Sequence, residues 1–304
     1  MNRFSAHNPN KNPNSPVPLC SLVPLCSRFL PPRFNYHDPV SEDKIRRVGL
    51  ARALSKLGYC SRSAATRLIH AGRVTLNGKL RLNPETPVSE THDRIQVDGS
   101  PVDAPARIYL MMNKPRGTLT TASDDQGRET VYSLLKDRST WLAPVGRLDK
   151  ASEGLLLLTN DSEWSARVAS PETHLEKTYH VQLAILADKE FIRDLVAGVK
   201  ARDGELLRAR HARLLRSGEK TCWLEIILQE GRNRQIRRIM ESRNVEVLRL
   251  IRVAIGPLPL GDLAKGATRP LTPEEKRMLD GAIQTKLKAN SRRMMQRDSA
   301  RRSQ

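Results

Sequence analysis

The chain has 304 residues and carries 52 lysines and arginines against 33 aspartates and glutamates, a formal net charge of +19. This excess indicates a polyanionic partner, with nucleic acid as the first candidate, although a solvated basic surface without a particular ligand has the same composition. No apolar run is long enough to cross a bilayer, and with only 4% aromatic residues, single-strand binding by rows of stacked rings is not expected.

Residues 1–45 differ in composition from the rest of the chain. They hold 8 of the 19 prolines, many Asn and Ser, and few acidic residues. This composition predicts a disordered N-terminal extension. Pro24 interrupts the one mildly apolar stretch, which makes a signal peptide a poor match. Two alternatives stay open: an overextended start of the reading frame, or an organellar presequence, which the scarcity of arginine makes a weak match.

Residues 46–104 predict a small α+β module. Leucines and alanines from Leu50 to Leu57 follow helical spacing up to Gly58, and Ser61 is placed to cap a second helix that ends before Gly72. A short strand then runs from Val74 into an Asn-Gly turn, and a second strand follows at residues 95–97.

Residues 107–282 predict a larger domain, after a linker near residues 101–106. Apolar and alternating segments indicate strands at 108–112, 177–183, 222–228 and 245–255, with helices after Asp188 and around Ile236. This order fits an α+β class, with a large, mainly antiparallel mixed sheet flanked by helices.

The block at residues 146–161 is the most informative one for chemistry. Asp149 lies between Arg147 and Lys150, and the uninterrupted leucines at 155–158 predict a strand buried on both faces. Asp149 is therefore expected in a polar loop at the edge of a hydrophobic core, where carboxylates with a chemical role are common. The alternative is a loop aspartate paired with Arg147.

Two further segments are strongly basic. Residues 230–238 contain four arginines and one glutamate, so some of these cations are expected to face a polyanion or a buried acid. Residues 285–304 carry seven lysines and arginines against the single acid Asp298, which predicts a basic disordered tail that binds RNA without specificity.

Cysteine and histidine spacing indicates no metal site. The cysteines at positions 20, 26, 60 and 222 form no Cys-x-x-Cys pair, and no histidine spacing is typical of a zinc site. We therefore expect no structural zinc, no disulfide framework and a cytoplasmic location.

Four motifs in order carry a family resemblance: Asn113-Lys-Pro-Arg-Gly, Gly146-Arg-Leu-Asp, Lys177-Thr-Tyr and the arginine-rich segment 230–238. In this combination the chain resembles ribosomal RNA pseudouridine synthases of the Rsu type. Many relatives have Gly where Ser162 follows Thr-Asn-Asp, a difference outside the catalytic positions. Residues 57–63 and 68–79 resemble the S-four-like (alpha-L) RNA-binding domain that precedes the catalytic domain in many of these enzymes.

The resemblance implies three catalytic residues. Asp149 would be the nucleophile, Tyr179 would stack on the target base, and Arg237 would pair with Asp149 and hold it ionised. The alternative for Tyr179 is an ordinary core tyrosine. Isomerising uridine to pseudouridine involves no redox change and no external energy source, so neither a cofactor nor a metal is expected.

The predicted RNA contacts are basic side chains whose alternative role is surface solubility. They are Arg62, Arg67, Arg73, Lys79, Lys114, Arg147, Arg232, Arg234 and Arg238.

Together these observations predict an RNA pseudouridine synthase that isomerises a uridine in ribosomal RNA. The large subunit is the first candidate and the small subunit the second, with ribosomal RNA or a pre-ribosomal particle as partner and a monomeric state. The alternative is a noncatalytic RNA-binding or ribosome-assembly factor, which would tolerate the loss of Asp149.

Overall fold

The computed structural model describes residues 47–89, 92–103, 106–122, 124–135 and 140–302. The predicted disordered extension at 1–45, with Cys20 and Cys26, lies outside these residues. Within the described ranges, no helix combines the length and the apolar character needed to cross a membrane.

The N-terminal module contains the predicted pair of helices and several short strands. Its elements are β1 Arg47–Gly49, α1 Leu50–Lys56, α2 Arg62–His70, β2 Val74–Leu76, β3 Lys79–Leu80, β4 Pro87–Ser89, β5 Ile95–Val97 and β6 Ser100–Pro101. The hydroxyl of Ser61 caps α2 by accepting a hydrogen bond from the Ala64 amide at 3.1 Å. Asn77 and Gly78, with φ of 52° and 75°, form the tight turn between β2 and β3.

The larger region follows and holds most of the chain. Its elements are β7 Tyr109–Lys114, β8 Ala143–Val145, β9 Glu153–Thr159, α3 Ser162–Ala169, β10 Lys177–Leu183, α4 Lys189–Ala197, β11 Val199–Lys200, β12 Leu206–Leu207, β13 His211–Ser217, β14 Cys222–Leu228, α5 Gln235–Ser242, β15 Val247–Ile255, β16 Leu258–Pro259, β17 Thr268–Pro270 and α6 Pro273–Arg302. Two 3₁₀ turns, Val131–Leu135 and Pro171–Thr173, lie between them.

A nine-stranded sheet organises this region. Seven strands follow the order β13-β14-β10-β15-β9-β7-β17, while β8 pairs with β9 and β16 pairs with β15. Every pairing is antiparallel except that of β9 with β15. The predicted α+β class, with a large, mainly antiparallel mixed sheet flanked by helices, is confirmed.

Strand β9 is buried on both faces, as its sequence predicts. All four leucines from Leu155 to Leu158 are fully buried. Leu155 and Leu157 pack in the layer that contains α3 and α6, and Leu156 and Leu158 pack on the opposite face. A continuous apolar run is needed here because neither face of the strand meets water.

The other half of the sheet is covered on one face only. In β14, Cys222, Leu224, Ile226 and Leu228 are buried in a core shared with α4 and α5, whereas the residues between them are half-buried. This alternation is typical of a strand with one face toward a core and the other toward solvent.

The two halves are joined where β9 meets β15. Only Glu153 and Gly154 of β9 pair with β15, opposite Ile251 and Arg252. Farther along β9, the same side of the strand pairs with β8. Because β8 and β15 diverge from this junction, an opening forms between them.

The predicted basic disordered tail at 285–304 is wrong for the residues that the structure describes. Helix α6 continues from Pro273 to Arg302. The segment is rich in Ala, Lys, Arg, Gln and Met, which have high helix propensity, and it continues a helix already anchored by Leu279 and Ile283 in the core.

Gly154→Ala is expected to destabilise the fold by about 3 kcal/mol or more. A Cβ at position 154 would lie 2.3 Å from the Arg252 carbonyl oxygen, and the φ of +102° disfavours any side chain. Chemical denaturation of the two proteins measures the difference in the free energy of unfolding. Gly218→Ala is the matched control, since its Cβ would meet the nearest atom at an ordinary 3.5 Å; equal stability of both variants would contradict the prediction.

Candidate active site

The loop that carries Asp149 leaves the sheet where β8 and β15 diverge. Strand β8 ends at Val145, Gly146 turns the chain with φ of 70°, and the chain rejoins the sheet at Glu153. Beside this loop lies a cavity of about 750 Å³, lined by Asp149 and Tyr179 among others. The structure thus brings together two of the three predicted catalytic residues.

The backbone of the Asp149 loop is fixed by several hydrogen bonds. The Asp149 carbonyl accepts the Ser152 amide at 2.9 Å, and the Leu148 carbonyl accepts the Thr120 hydroxyl at 2.8 Å. The side chain of Asp149 is half-buried, and its carboxylate forms no ion pair with any described residue, so the alternative pairing with Arg147 is not seen.

The side chain of Arg237 contacts the main chain of the loop that carries Asp149. From α5, its Nη2 donates to the Ala151 carbonyl at 3.1 Å, two residues beyond Asp149. Burial and the neighbouring guanidinium of Arg234 lower the pKa of Arg237, while the negative charge of Asp149 opposes that shift. Arg237 therefore lies within electrostatic range of Asp149 without a direct ion pair, and its predicted catalytic role stays a prediction.

Lys114 is not an RNA contact, and that prediction is wrong. Its side chain is fully buried, and its Nζ donates to the carbonyls of Ser152 at 2.8 Å, Pro115 at 3.0 Å and Asp149 at 3.2 Å. Burial lowers the pKa of Lys114 to about 8. The amine is therefore out of reach of RNA and instead fastens both ends of the turn that contains Asp149.

Two cations of the cavity, the half-buried Lys177 and the buried Arg252, were not predicted. Lys177 and Arg252 both line it, and burial together with repulsion from Arg252 lowers the pKa of Lys177 to about 8. Lys177 could have been found from the sequence, because it belongs to the Lys177-Thr-Tyr motif. The sequence around Arg252 does not indicate a site residue, because a basic residue in an apolar strand is equally consistent with an exposed position.

Two buried polar atoms on side chains that line the cavity lack protein partners. Gln235 and Arg252 are both almost fully buried, yet Oε1 of Gln235 and Nη2 of Arg252 have no hydrogen-bond partner. Their other groups are fixed: Gln235 Nε2 donates to the Arg208 carbonyl at 3.0 Å and Arg252 Nε to the Leu155 carbonyl at 2.7 Å. An acceptor and a donor, each on a side chain held in place, thus remain unpaired beside the cavity.

The arginine-rich segment is neutralised more fully than its sequence suggests. Arg232 pairs with Glu205 and Glu230, Arg238 pairs with Asp203 and Glu205, and Arg234 pairs with Glu241. The additional acids come from the turn before β12 and from the end of α5. The side chains of Arg232 and Arg234 nevertheless remain 40% and 44% exposed to solvent.

The remaining predicted RNA contacts lie on the surface. Arg62, Arg67 and Lys79 are exposed in the N-terminal module, and Arg147 is exposed at the mouth of the cavity. Arg73 is also exposed, but it is held by a two-point interaction with Asp98. Their role in RNA binding stays a prediction.

No cluster of three or more His, Cys, Asp or Glu residues with the geometry of a metal site is found in the described part of the chain.

Lys114→Met is expected to destabilise the protein by about 2 kcal/mol, because three buried carbonyls lose their donor. The folded-state pKa of about 8 lies below the unfolded value, so the unfolded state binds more protons between about pH 8 and 10.5. The contribution of Lys114 to the free energy of unfolding therefore increases over this pH window. The difference in the free energy of unfolding between wild type and Lys114→Met should widen as pH rises. Denaturation curves at several pH values measure it, with the exposed neighbour substitution Lys150→Met as control; a difference that narrows with pH would refute the assignment.

Comparisons with known proteins agree with this geometry. The family model for RNA pseudouridylate synthase matches residues 108–242, and the S4 domain model matches residues 48–95. The chain is 36% identical to the ribosomal large subunit pseudouridine synthase B of Bacillus subtilis (strain 168), over 76% of this chain and 94% of that protein. It is 35% identical to an uncharacterized RNA pseudouridine synthase of Aquifex aeolicus (strain VF5), over 81% of this chain and 99% of that protein.

A solved structure shows the same fold. A crystal structure of a pseudouridylate synthase superposes with a TM-score of 0.55 at 29% identity, covering 76% of this chain and 99% of the other. With the sequence relatives and the cavity beside Gly146-Arg-Leu-Asp, this match shows that the chain belongs to the RNA pseudouridine synthase family, in the Rsu-type branch that carries an N-terminal S4 domain.

Proposed function

We propose that this enzyme isomerises a uridine of large-subunit ribosomal RNA, with Asp149 as its nucleophile. The observation that carries the proposal is the placement of Asp149 and Tyr179 on the wall of one cavity that is also lined by the cations Lys177 and Arg252. The relative from Bacillus subtilis is named for the large ribosomal subunit, which supports the choice of RNA.

The reaction breaks the bond between the sugar C1′ and the uracil N1, turns the base, and joins C1′ to C5. The proton on C5 leaves and N1 takes up a proton, so that the product is an isomer of the substrate. The carboxylate of Asp149 supplies the nucleophile for this exchange. Because the loop is held through its main chain, by Lys114 from one side and Arg237 from the other, the carboxylate oxygens remain available to the nucleotide.

The target base would lie between Tyr179 and the apolar wall formed by Leu250 and Ile255. Uracil presents an N3–H donor and two carbonyl acceptors along its edge. The free acceptor on Gln235 and the free donor on Arg252 match this pattern, so these two side chains would orient the base.

The phosphates beside the target nucleotide would meet the cations at the mouth of the cavity. Lys177 and Arg147 line it, and the exposed guanidinium groups of Arg232 and Arg234 stand at its rim. Extruding a nucleotide from a stacked RNA costs a few kcal/mol, which several such contacts offset. Phosphate oxygens would replace Glu205 and Glu241 as partners of these arginines.

Family membership favours catalysis over the alternative of a noncatalytic RNA-binding or ribosome-assembly factor. A pure binding protein has no use for an unpaired carboxylate among cations. A cytoplasmic location and a monomeric state stay predictions.

Asp149→Asn is expected to reduce turnover by about 10³-fold or more, because the amide cannot serve as nucleophile. Release of tritium from 5-³H-uridine-labelled ribosomal RNA measures the reaction, and a filter assay measures RNA binding, which should be preserved. Asp262→Asn, at an exposed position away from the cavity, is the control. Turnover by the Asp149 variant at the control's rate would end the assignment.

The KM for RNA is expected to rise above about pH 8, as the Lys177 ammonium loses its proton and its attraction for phosphate. Lys177→Arg keeps a cation throughout this range and should flatten the rise, whatever its effect on KM at pH 7. Initial rates between pH 7 and 9.5 for both proteins test this. Parallel KM profiles would show that another group titrates.

A further inference from the structure

The open face of the sheet carries a cluster that the catalytic cavity does not use. Strands β13, β14, β10 and β15 are antiparallel neighbours, with α4 and α5 packed on one face only. On the other face, the register aligns Arg216, Trp223, Gln182 and Arg249 across the four strands. Arg216 is exposed and the other three are half-buried, so this row is accessible to solvent.

Two guanidinium groups flank the Trp223 ring. Their central carbon atoms lie 5.1 Å from the ring centroid for Arg216 and 5.7 Å for Arg249. Arg249 also makes a two-point interaction with Glu153 at 3.0 and 2.9 Å. Arg216 forms no ion pair with any residue that the structure describes, so its charge remains available to an anion.

The acids of this face are already neutralised. Glu225 accepts a hydrogen bond from Arg213 at 2.6 Å and lies 3.7 Å from His180, and Glu153 is shared by Arg249 and Lys265. Lys265 remains 63% exposed and Arg213 56% exposed. The surface therefore offers net positive charge around an aromatic ring, and each of these carboxylates is already held by cations.

This combination matches a known physical solution for binding single strands. In RNA-recognition sheets, four antiparallel strands with helices behind them stack two or three bases on aromatic side chains of the open face. Bases also stack on guanidinium planes, and stacking tolerates any base because every base has a π-face. The four strands here span about 15 Å, which accommodates such a segment.

We infer that Arg216, Trp223 and Arg249 bind a second, single-stranded segment of the RNA substrate. A base displaces the Arg216 guanidinium from the Trp223 ring and stacks there, and Arg213 and Arg216 then contact the adjoining phosphates. The low aromatic content excludes rows of rings, but this site needs only one ring.

The site is separate from the catalytic cavity. Tyr179 and His180 are consecutive in β10 and project to opposite faces, so a base in the cavity and a base on Trp223 belong to different stretches of RNA. The inference rests on the proposed function for the identity of the ligand class, and it adds a site that would favour substrate RNA with unpaired segments.

The test is fluorescence anisotropy of a fluorescein-labelled, nine-nucleotide oligoadenylate with the full chain. The probe contains no uridine, so its binding is independent of turnover and of Asp149. Trp223→Leu should weaken binding by roughly tenfold, the effect of one lost base–aromatic stack. Trp223→Tyr should restore affinity to within about threefold of wild type, since it keeps a ring. Arg216→Gln should weaken binding and reduce its salt dependence.

Arg193→Gln is the matched control, because Arg193 is 71% exposed on α4, on the covered side of the sheet. Its affinity should equal that of wild type, and circular dichroism establishes that each variant is folded. If Trp223→Leu is unfolded, the affinity of Arg216→Gln is compared with that of Arg193→Gln, and equal affinities would overturn the inference. Wild-type affinity in both Trp223→Leu and Arg216→Gln would overturn the inference and leave this face to a protein partner.

Discussion

The close approach of Gly154 to the backbone of Arg252 is the constraint on which the active site depends. It is the point where two differently built half-sheets join, and only two residues of each strand pair there. Polar contacts reinforce it, with Glu153 bound to Arg249 and Lys265 and Arg252 bound to the Leu155 carbonyl. Because the junction is so short, β8 and β15 separate immediately beyond it, and the cavity occupies the space between them.

The Asp149 loop is held by cations that bind its main chain and leave its carboxylate alone. Lys114 and Arg237 approach from β7 and α5, and each donates to loop carbonyls. Burying the charged amine of Lys114 costs free energy, and this cost lowers the pKa of Lys114. That cost is offset by three hydrogen bonds that no neutral aliphatic side chain could make. A direct ion pair with Asp149 would fix the side chain equally well, but it would occupy the oxygens that the chemistry requires.

Features that depend on neighbouring residues in the chain could be predicted from the sequence. The buried leucines after Gly154, the Asn77-Gly78 turn and the alternation that places Tyr179 on an inner face all depend on neighbours within a few residues, and the structure contains each of them. Interactions across long separations could not be predicted in this way. Lys114 looks like a surface lysine until the Asp149 loop folds over it, and the partners of Arg238 come from an acidic turn more than thirty residues away.

The strand period of two lets one set of strands serve two surfaces. In β10, Tyr179 lies toward the cavity, while His180 and Gln182 lie on the open face with Trp223. Helices α4 and α5 can cover only one of these faces, and the second must then be polar enough to remain in water. A row of arginines with one tryptophan meets that requirement. It also differs from an ordinary solvated face, because a half-buried tryptophan under two guanidinium groups offers a large π-face to a base that arrives with the substrate.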